Sequence, residues 1–214
     1  FDQQGLVPAP EHLDWIQAAT LPCAAVTAWN ALKGLNPGAT VLLIGTGGVS
    51  IFALQLARAQ GLKVAILSSS DDKLERARAL GADFTLNYKT TPAWSREVRQ
   101  WSGSGLDCVV EVGGAGTLEQ SVASLKPGGQ ISLIGVLAGS RAPFNVLPIL
   151  MQQLRIQGIL VGNRDDFEAM NLFLQQQQLQ PVVDSQFPFE QAPQAFQHLA
   201  SGAHLGKIVV TVPW

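Results

Sequence analysis

A run of glycines lies between a short apolar segment and a helical pattern. It reads Gly45-Thr46-Gly47-Gly48-Val49-Ser50. A glycine at the first position permits a tight turn, and a glycine at the third lets the backbone approach a pyrophosphate. The N–H groups of the following helix then face the negative charge of the phosphates. The motif predicts a phosphate-binding turn made by Gly45, Thr46, Gly47, Gly48 and Val49, with Ser50 as a small residue in place of the usual third glycine.

Such a turn can also be purely structural, or it can hold another adenosine compound such as S-adenosylmethionine. Sites for S-adenosylmethionine commonly carry an acidic residue in the strand before the glycines, whereas residues 41–44 are wholly apolar. The turn also lies in a strand-turn-helix context, within a series of β-α-β units. We therefore favour a nicotinamide dinucleotide as the ligand.

The end of the second predicted strand bears on which dinucleotide is bound. NAD-specific sites place an Asp or Glu there to accept hydrogen bonds from the ribose 2′-OH, and that carboxylate repels a 2′-phosphate. This chain has Ser68-Ser69-Ser70 instead, and Asp71 and Asp72 come later, where they suit the start of a helix. The sequence predicts NADP(H) as the cofactor, with Ser68 and Ser69 in the site. NAD remains possible through dual specificity.

Short apolar runs alternate with helical patterns from Thr40 onwards. Strands are predicted at 41–44, 64–67, 84–86, 107–112, 130–136 and 156–161, and helices at 51–60, 71–80, 92–101, 118–125 and 165–176. Repeated units of this kind predict an α/β Rossmann fold with a doubly wound parallel sheet. Strands at 187–189 and 207–212, around a helix at 191–199, do not continue this rhythm, and we expect them in a different layer. Residues 12–32 form a helical region that Pro22 interrupts.

Composition excludes several classes of protein. A net charge of −2 and a pI near 5.9 argue against a nucleic-acid partner, which would require a basic face. The sequence contains no run of 18 apolar residues, so no membrane span is predicted. Two cysteines do not make a disulfide scaffold, which favours a reducing cytoplasmic setting. Because the chain begins at Phe1 without a methionine, we expect it to be a piece of a longer protein.

Several motifs together resemble one enzyme family. Residues 41–61, reading VLLIGTGGVSIFALQLARAQG, resemble the zinc-type alcohol dehydrogenase and quinone oxidoreductase families of the medium-chain dehydrogenase/reductase superfamily. The same resemblance is carried in order by Leu21-Pro22-Cys23, Thr27-Ala28-Trp29, Lys73-Leu74, Leu80-Gly81-Ala82-Asp83, Glu111-Val112-Gly113-Gly114 and Gly206-Lys207-Ile208-Val209. It implies hydride transfer between a nicotinamide and an alcohol or carbonyl, a quinone or an enone.

The resemblance also implies a division of the chain. Residues 1–24 would be the junction with a substrate domain, 25–160 the NAD(P)-binding domain, and 161–214 a segment that returns to the substrate domain. That substrate domain would precede this chain and supply most of the pocket. We therefore expect the 214 residues alone to bind a dinucleotide but to turn over substrate negligibly. A non-catalytic dinucleotide-binding or sensing module is the alternative.

Further site residues follow from the resemblance. Lys73 and Tyr88 match positions near the 2′-phosphate of NADP, and Lys207 matches one that reaches a cofactor phosphate. Positions that line the nicotinamide and its ribose are matched by Thr27, Val112, Gly113, Gly135, Val136, Ile159 and Val161. Each of these residues also has a purely structural explanation. The nicotinamide positions would be strand ends and turns of a sheet core, Thr27 a helix residue bonded to the preceding turn, and Lys207 a solvated strand residue.

Other chemistry finds little support. Cys23 falls where zinc-dependent relatives keep a ligand, but no Cys or His lies at ligand spacing from it. We expect an inert buried thiol and no metal site. His12, His198 and His204 have no Asp or Ser at an informative spacing and are predicted to be surface residues, and Cys108 is predicted to be in the core. No general acid or base can be named, so the catalytic residues stay unknown.

The family resemblance extends to assembly. Relatives commonly dimerise by pairing the edge strands of two cofactor domains. The matching segment here is 142–147, which is apolar and hard to leave as a bare edge. It predicts a homodimer centred on that segment.

Overall fold

A six-stranded parallel sheet organises the computed structural model, which describes residues 2–213. The strand order is β3-β2-β1-β4-β5-β6, and every neighbouring pair is parallel. The strands are β1 (Thr40–Ile44), β2 (Lys63–Ser68), β3 (Phe84–Asn87), β4 (Leu106–Glu111), β5 (Leu125–Leu133) and β6 (Arg155–Gly158). This is the predicted doubly wound Rossmann fold, and its switch point lies between β1 and β4.

Helices cover both faces of this sheet. The α-helices of residues 2–213 are α1 (Trp15–Ala18), α2 (Val26–Ala31), α3 (Gly48–Ala59), α4 (Asp71–Ala79), α5 (Trp94–Ser102), α6 (Leu118–Ser124), α7 (Leu147–Met151), α8 (Arg164–Gln177) and α9 (Ala192–Ser201), of which α9 packs against the C-terminal strands instead. One core lies between the sheet and α2, α3, α4 and α8, and a second lies between the sheet and α5 and α6. In β1, Val41 and Leu43 enter the first core while Leu42 and Ile44 enter the second. A strand buried on both faces needs such an uninterrupted apolar run.

The fifth strand differs from its prediction. A strand was expected at 130–136, but β5 already begins at Leu125, includes Pro127-Gly128-Gly129 and ends at Leu133. The pairing with β4 jumps from Leu106↔Leu125 to Cys108↔Gln130, so the Pro-Gly-Gly residues form a bulge inside the strand. Pro127 and Gly128 are exposed there, where a missing ladder hydrogen bond is tolerated.

The tail forms its own small sheet. Strands β7 (Val183–Pro188) and β8 (Lys207–Thr211) pair with each other and with no strand of the main sheet. The expected separate layer is confirmed. We also expected that the tail would not continue the series of β-α-β units. That prediction is wrong, because β7 and β8 are parallel and α9 joins them, which makes one more β-α-β unit.

The first helical region is nearly continuous. After α1, a π-helical segment covers Leu21–Ala25 and leads directly into α2. Pro22 lies in the first turn of that segment rather than interrupting a helix. A proline is tolerated there because its missing N–H would have no intrahelical partner. None of the helices within residues 2–213 is long and apolar enough to cross a membrane.

One edge of the sheet also differs from its prediction. Residues 142–146 form no strand, and the edge of the main sheet is β6. Pro143 lies within this segment and Pro148 follows it, and a proline has no N–H to donate to a ladder.

Candidate functional site

The glycine turn joins the end of β1 to the start of α3. Gly45 has a φ of +77°, which a residue with a side chain adopts only under strain. Ser50 is buried, and its hydroxyl donates to the carbonyl of Ile44 at 2.9 Å. A small side chain that folds back onto the strand explains how serine can replace a glycine here. The strand, the turn and the helix N-terminus thus have the arrangement that the motif predicted.

A cleft of about 580 Å³ opens above this turn, at the carboxyl edge of the sheet. It brings together most of the residues predicted from the motif and from the second strand, namely Gly45, Thr46, Gly47, Gly48, Val49, Ser68, Ser69, Lys73, Tyr88 and Val112. The carboxyl ends of β1, β2, β3 and β4 supply them. This is the edge of an open α/β sheet where ligands bind.

A second, more apolar cavity of about 470 Å³ adjoins the cleft and shares Ile44, Gly45, Tyr88, Val112 and Leu137 with it. Gly113, predicted as a site residue, lines this cavity rather than the cleft. Sequence reasoning missed its other walls, which are Leu67, Pro92, Trp94, Gly116, Thr117, Gln120 and Ala138. The available signal was their position, since they lie at the end of β2 or in the segments that follow β3, β4 and β5.

The C-terminal unit forms one wall of the cleft, through residues other than the predicted Lys207. Leu199, Gly202 and His204 line it. The N–H of Gly206 donates to the carbonyl of Thr46 at 3.1 Å. A Cβ built on Gly48 would lie 2.8 Å from Cδ of Lys207, so the two segments are in close contact. Lys207 therefore lies beside the start of α3, in a smaller cavity of about 280 Å³.

Lys73 joins the two sides of the cleft. It lies in the first turn of α4, where the Ser70 side chain caps the helix by accepting from the Lys73 N–H at 3.4 Å. Its ammonium donates to the carbonyl of Gly202. Burial, and to a lesser degree the charge of Arg76, holds the pKa of Lys73 below its ordinary value, while Asp184 opposes the shift.

A buried carboxylate holds the turn after β4. Glu111 is fully buried, and its Oε1 accepts from the N–H groups of Gly113 and Gly114 at 2.7 and 3.1 Å. The hydroxyl of Thr117 donates to the same oxygen at 2.6 Å, and that of Ser121 donates to Oε2. A carboxylate with several donors is tolerated in a core. The turn that borders both cavities is thereby fixed.

Other predicted residues lie away from the glycine turn. Thr27 is buried, and its hydroxyl donates to the carbonyl of Cys23 at 2.7 Å. This is the bond to the preceding turn that the purely structural explanation of Thr27 expects. Val136 is exposed and lines a separate hollow with Phe144. Ile159 is buried, and the N–H of Gly135 donates to the carbonyl of Glu111 at 3.2 Å. These residues do not line the cleft itself.

Val161 has a strained backbone. Its φ is +54°, which is rare for a β-branched residue. Its carbonyl accepts from Nδ2 of Asn30 at 3.1 Å, and its side chain packs against the core around α2. Like the previous group, it is not part of the cleft wall.

The histidines differ from their prediction as surface residues. All three are partly buried. Nε2 of His12 bonds to the carbonyl of Leu179 at 2.9 Å. Nε2 of His198 lies 3.0 Å from Oδ2 of Asp184, so an acidic partner exists after all. Packing α9 against β7 creates that pair, which the sequence spacing did not reveal.

The thiols are split between surface and core. Cys108 is buried as predicted, and burial raises its pKa to about 11. Cys23 is exposed, so the prediction of a buried thiol is wrong. Its apolar neighbours Ala24 and Ala25 point into the core while Cys23 lies on the outer side of the π-helical segment. No group of three His, Cys, Asp or Glu residues within positions 2–213 could hold a metal ion, so a zinc centre does not fit these residues alone.

Comparisons with known proteins agree with this geometry. A family model described as zinc-binding dehydrogenase matches residues 48–176, more than half of the chain. A zinc-type alcohol dehydrogenase-like protein of Schizosaccharomyces pombe is 46% identical over 217 residues, covering 97% of this chain and 63% of that protein.

Solved structures agree as well. A candidate alcohol dehydrogenase from Sinorhizobium meliloti 1021 is 42% identical with a TM-score of 0.90, over 95% of this chain and 60% of that one. A structure of NAD-dependent alcohol dehydrogenase is 34% identical with a TM-score of 0.90, over 99% of this chain and 63% of that one. The chain spans about three fifths of the length of these relatives. It therefore belongs to the zinc-binding dehydrogenase family of the medium-chain dehydrogenase/reductase superfamily and covers the cofactor-binding region.

Proposed function

We propose that this chain is the cofactor-binding part of an oxidoreductase that uses a nicotinamide dinucleotide. The observation that carries the proposal is the cleft above the glycine turn, which lies at the switch point of the sheet and is lined by the predicted residues. The similar solved structure named as an NAD-dependent alcohol dehydrogenase supports a dinucleotide in this fold. A bound nicotinamide would supply the hydride acceptor or donor for an alcohol or carbonyl, a quinone or an enone.

The residues of the cleft fit such a ligand. The backbone of Gly45–Gly48 and the start of α3 would bind the pyrophosphate, with Lys207 beside them. The apolar cavity bordered by Tyr88 and Leu67 would take the adenine ring. Residues 25–160 would then hold most of the dinucleotide. The C-terminal residues Leu199, Gly202 and His204 would close the site.

The nicotinamide would lie towards β4 to β6. Val112 borders the cleft, while Thr27, Val136, Ile159 and Val161 remain proposed contacts. The titratable side chains that line the cleft are Lys73, Tyr88 and His204, and they come from the β2, β3 and C-terminal sides. We therefore place the substrate and the proton source in a part of the protein beyond these 214 residues. The chain alone should bind the dinucleotide and show negligible turnover of alcohols, quinones and enones.

We further propose NADP(H) as the preferred cofactor. No carboxylate ends β2, since Ser68 and Ser69 stand there, and Asp71 accepts a hydrogen bond from Nδ2 of Asn87 at 2.9 Å. Lys73 borders the same part of the cleft, and its ammonium has two further protons beside the one given to Gly202. A bond from a charged donor contributes about 1.5–3 kcal/mol, which is about a ten- to hundred-fold preference.

Calorimetric titration of NADPH and NADH tests this preference. We expect tighter binding of NADPH, and we expect Lys73→Ala to weaken NADPH while leaving NADH nearly unchanged. Lys89→Ala is the matched control, because Lys89 is exposed and lies outside the cleft. Equal binding of the two cofactors, or an equal loss of both in Lys73→Ala, would refute the assignment of the 2′-phosphate.

We propose that this chain holds no zinc by itself. The support is that Cys23 belongs to no group of three His, Cys, Asp or Glu residues that could hold a metal ion among residues 2–213. Elemental analysis of the purified chain should find well under one zinc per chain. One zinc per chain that disappears in Cys23→Ser would overturn the proposal.

We also propose a homodimer. The support is an exposed apolar surface near the sheet edge, formed by Val146, Leu147, Leu150, Met151 and Ile156. It overlaps the predicted segment 142–147, but its strand edge is β6. Light scattering at micromolar concentration should give a dimer, and Ile156→Lys should give monomers while Leu172→Lys, on the exposed side of α8, should not. A monomeric wild-type chain would contradict it.

A further inference from the structure

His204 lies in a loop that is attached to both sides of the cleft. This loop joins α9 to β8. At its start, the carbonyl of Gly202 accepts from the ammonium of Lys73. At its end, the N–H of Gly206 donates to the carbonyl of Thr46 in the glycine turn. His204 stands between these two contacts and borders both the cleft and the smaller cavity beside Lys207.

The protonation of the ring follows from its surroundings. Burial, and then the positive charge of Lys73, hold the pKa of His204 below its ordinary value, with smaller contributions from His198 and Lys207. Asp184 opposes this shift, but its Oδ1 already accepts from Arg76 and from the N–H of Leu205, and its Oδ2 faces His198. The imidazole is therefore neutral at pH 7 and carries one proton.

Nε2 is the ring nitrogen that can present this proton to a ligand. Nδ1 of His204 is enclosed and has no hydrogen-bond partner in the described part of the chain. Nδ1 is unsatisfied in either tautomer, as a donor without an acceptor or as an acceptor without a donor, and it cannot reach a ligand. The ring as a whole is only partly buried, so the enclosed Nδ1 leaves its remaining edge accessible. The neutral ring can thus donate from Nε2 to an acceptor that lies outside the residues described.

We propose that His204 is a phosphate-binding residue of the dinucleotide site and that its Nε2–H donates to a phosphate oxygen of the bound dinucleotide. The inference rests on the proposed function. Lys73 and Lys207 contribute positive charge at the same place, which favours an anionic acceptor over a neutral one. A dinucleotide offers two sources of this chemistry, the pyrophosphate and the 2′-phosphate of NADP(H).

Calorimetric titration of NADPH and NADH into the wild type, His204→Leu and His204→Gln tests the proposal. Loss of a bond to a charged acceptor predicts that His204→Leu raises Kd about ten-fold or more. His204→Gln keeps an N–H donor and should recover part of the affinity. If only NADPH weakens, the 2′-phosphate is the acceptor, and if both weaken equally, the pyrophosphate is.

His198→Gln is the matched control. Its ring lies 6.2 Å from that of His204 and packs near Phe187, but it does not line the cleft. The control should therefore leave Kd almost unchanged. A wild-type chain that binds neither dinucleotide overturns the proposed function and this inference together. Binding by the wild type with unchanged Kd in both His204 variants, or with an equal loss in His198→Gln, overturns the role of His204 alone. Should the Leu variant fail to fold, His204→Ala takes its place, and an unchanged Kd in that variant overturns the role of His204.

Discussion

Replacing Glu111 by leucine tests how the turn after β4 is held. The carboxylate has four donors, two of them backbone N–H groups. In Glu111→Leu the hydroxyl of Thr117 keeps an alternative acceptor in the carbonyl of Gly114, at 3.3 Å. The N–H groups of Gly113 and Gly114 and the buried hydroxyl of Ser121 lose their acceptor inside the protein. At about 1–3 kcal/mol for each of these three unsatisfied buried donors, the free energy of unfolding should fall by about 3–9 kcal/mol.

Glu111→Gln separates hydrogen bonding from charge. Its carbonyl oxygen can stand at the position of Oε1 and accept the same three bonds, and its amide can donate to the hydroxyl of Ser121. Only the added strength of charge-assisted bonds is lost, so the expected loss is about 1–2 kcal/mol. Ser121→Ala removes one charge-assisted bond and leaves Oε2 without a donor, so it should cost about 1.5–3 kcal/mol.

Urea unfolding followed by far-UV circular dichroism measures all three variants, with the slope m as a check that the unfolded state is unchanged. The expected order of stability is wild type, then Ser121→Ala and Glu111→Gln, then Glu111→Leu. A leucine variant within about 0.5 kcal/mol of the wild type would show that these donors find other partners. A glutamine variant as unstable as the leucine variant would show that the charge, rather than the acceptor geometry, fixes the turn.

Three further predictions concern single residues. A hydrogen bond from Lys33 holds the pKa of Asp166 below its ordinary value. The ionised carboxylate therefore stabilises the fold above about pH 4, and this contribution is lost as the pH falls further. In Asp166→Asn, the unfolding midpoint should depend less on pH in the acid range. Because Val161 has φ +54°, Val161→Gly should cost less stability than Val112→Gly, which replaces an equally half-buried valine, and equal losses in urea unfolding would argue against strain. A thiol-specific reagent should label exposed Cys23 rapidly and buried Cys108 only after denaturation; rapid labelling in Cys23→Ser would contradict this.

The sequence was sufficient for the main sheet and for one side of the cleft. The apolar run of β1, the glycine turn and α3 are adjacent in the chain, so local patterns predict both their structure and their proximity. Ser68 and Ser69 were found in the same way, because the ends of neighbouring parallel strands meet at one edge. Local order thus accounts for the part of the site built by consecutive β-α-β units.

The other side of the cleft depends on contacts between distant segments. Nothing near His204 in the sequence indicates that its loop reaches Thr46, because that contact depends on how the small β7–β8 sheet packs beside the large one. The pairing of His198 with Asp184 has the same origin. For Cys23 the difficulty was the orientation of a π-helical segment, whose residues do not follow the usual helical period.

The contact between Gly206 and Thr46 also constrains how the protein is made. It joins the first β-α unit to residues near the end of the chain, so the cleft cannot be complete until nearly all of these residues have left the ribosome. During synthesis the glycine turn therefore lacks one wall of the cleft. The contact that closes the cleft joins residues far apart in the sequence, and such contacts slow folding. A dinucleotide that touches both walls would bind only the closed form and would stabilise it by mass action. Cofactor supply during expression should therefore raise the yield of folded protein, and hydrogen exchange at the Gly206 amide should report the closure directly.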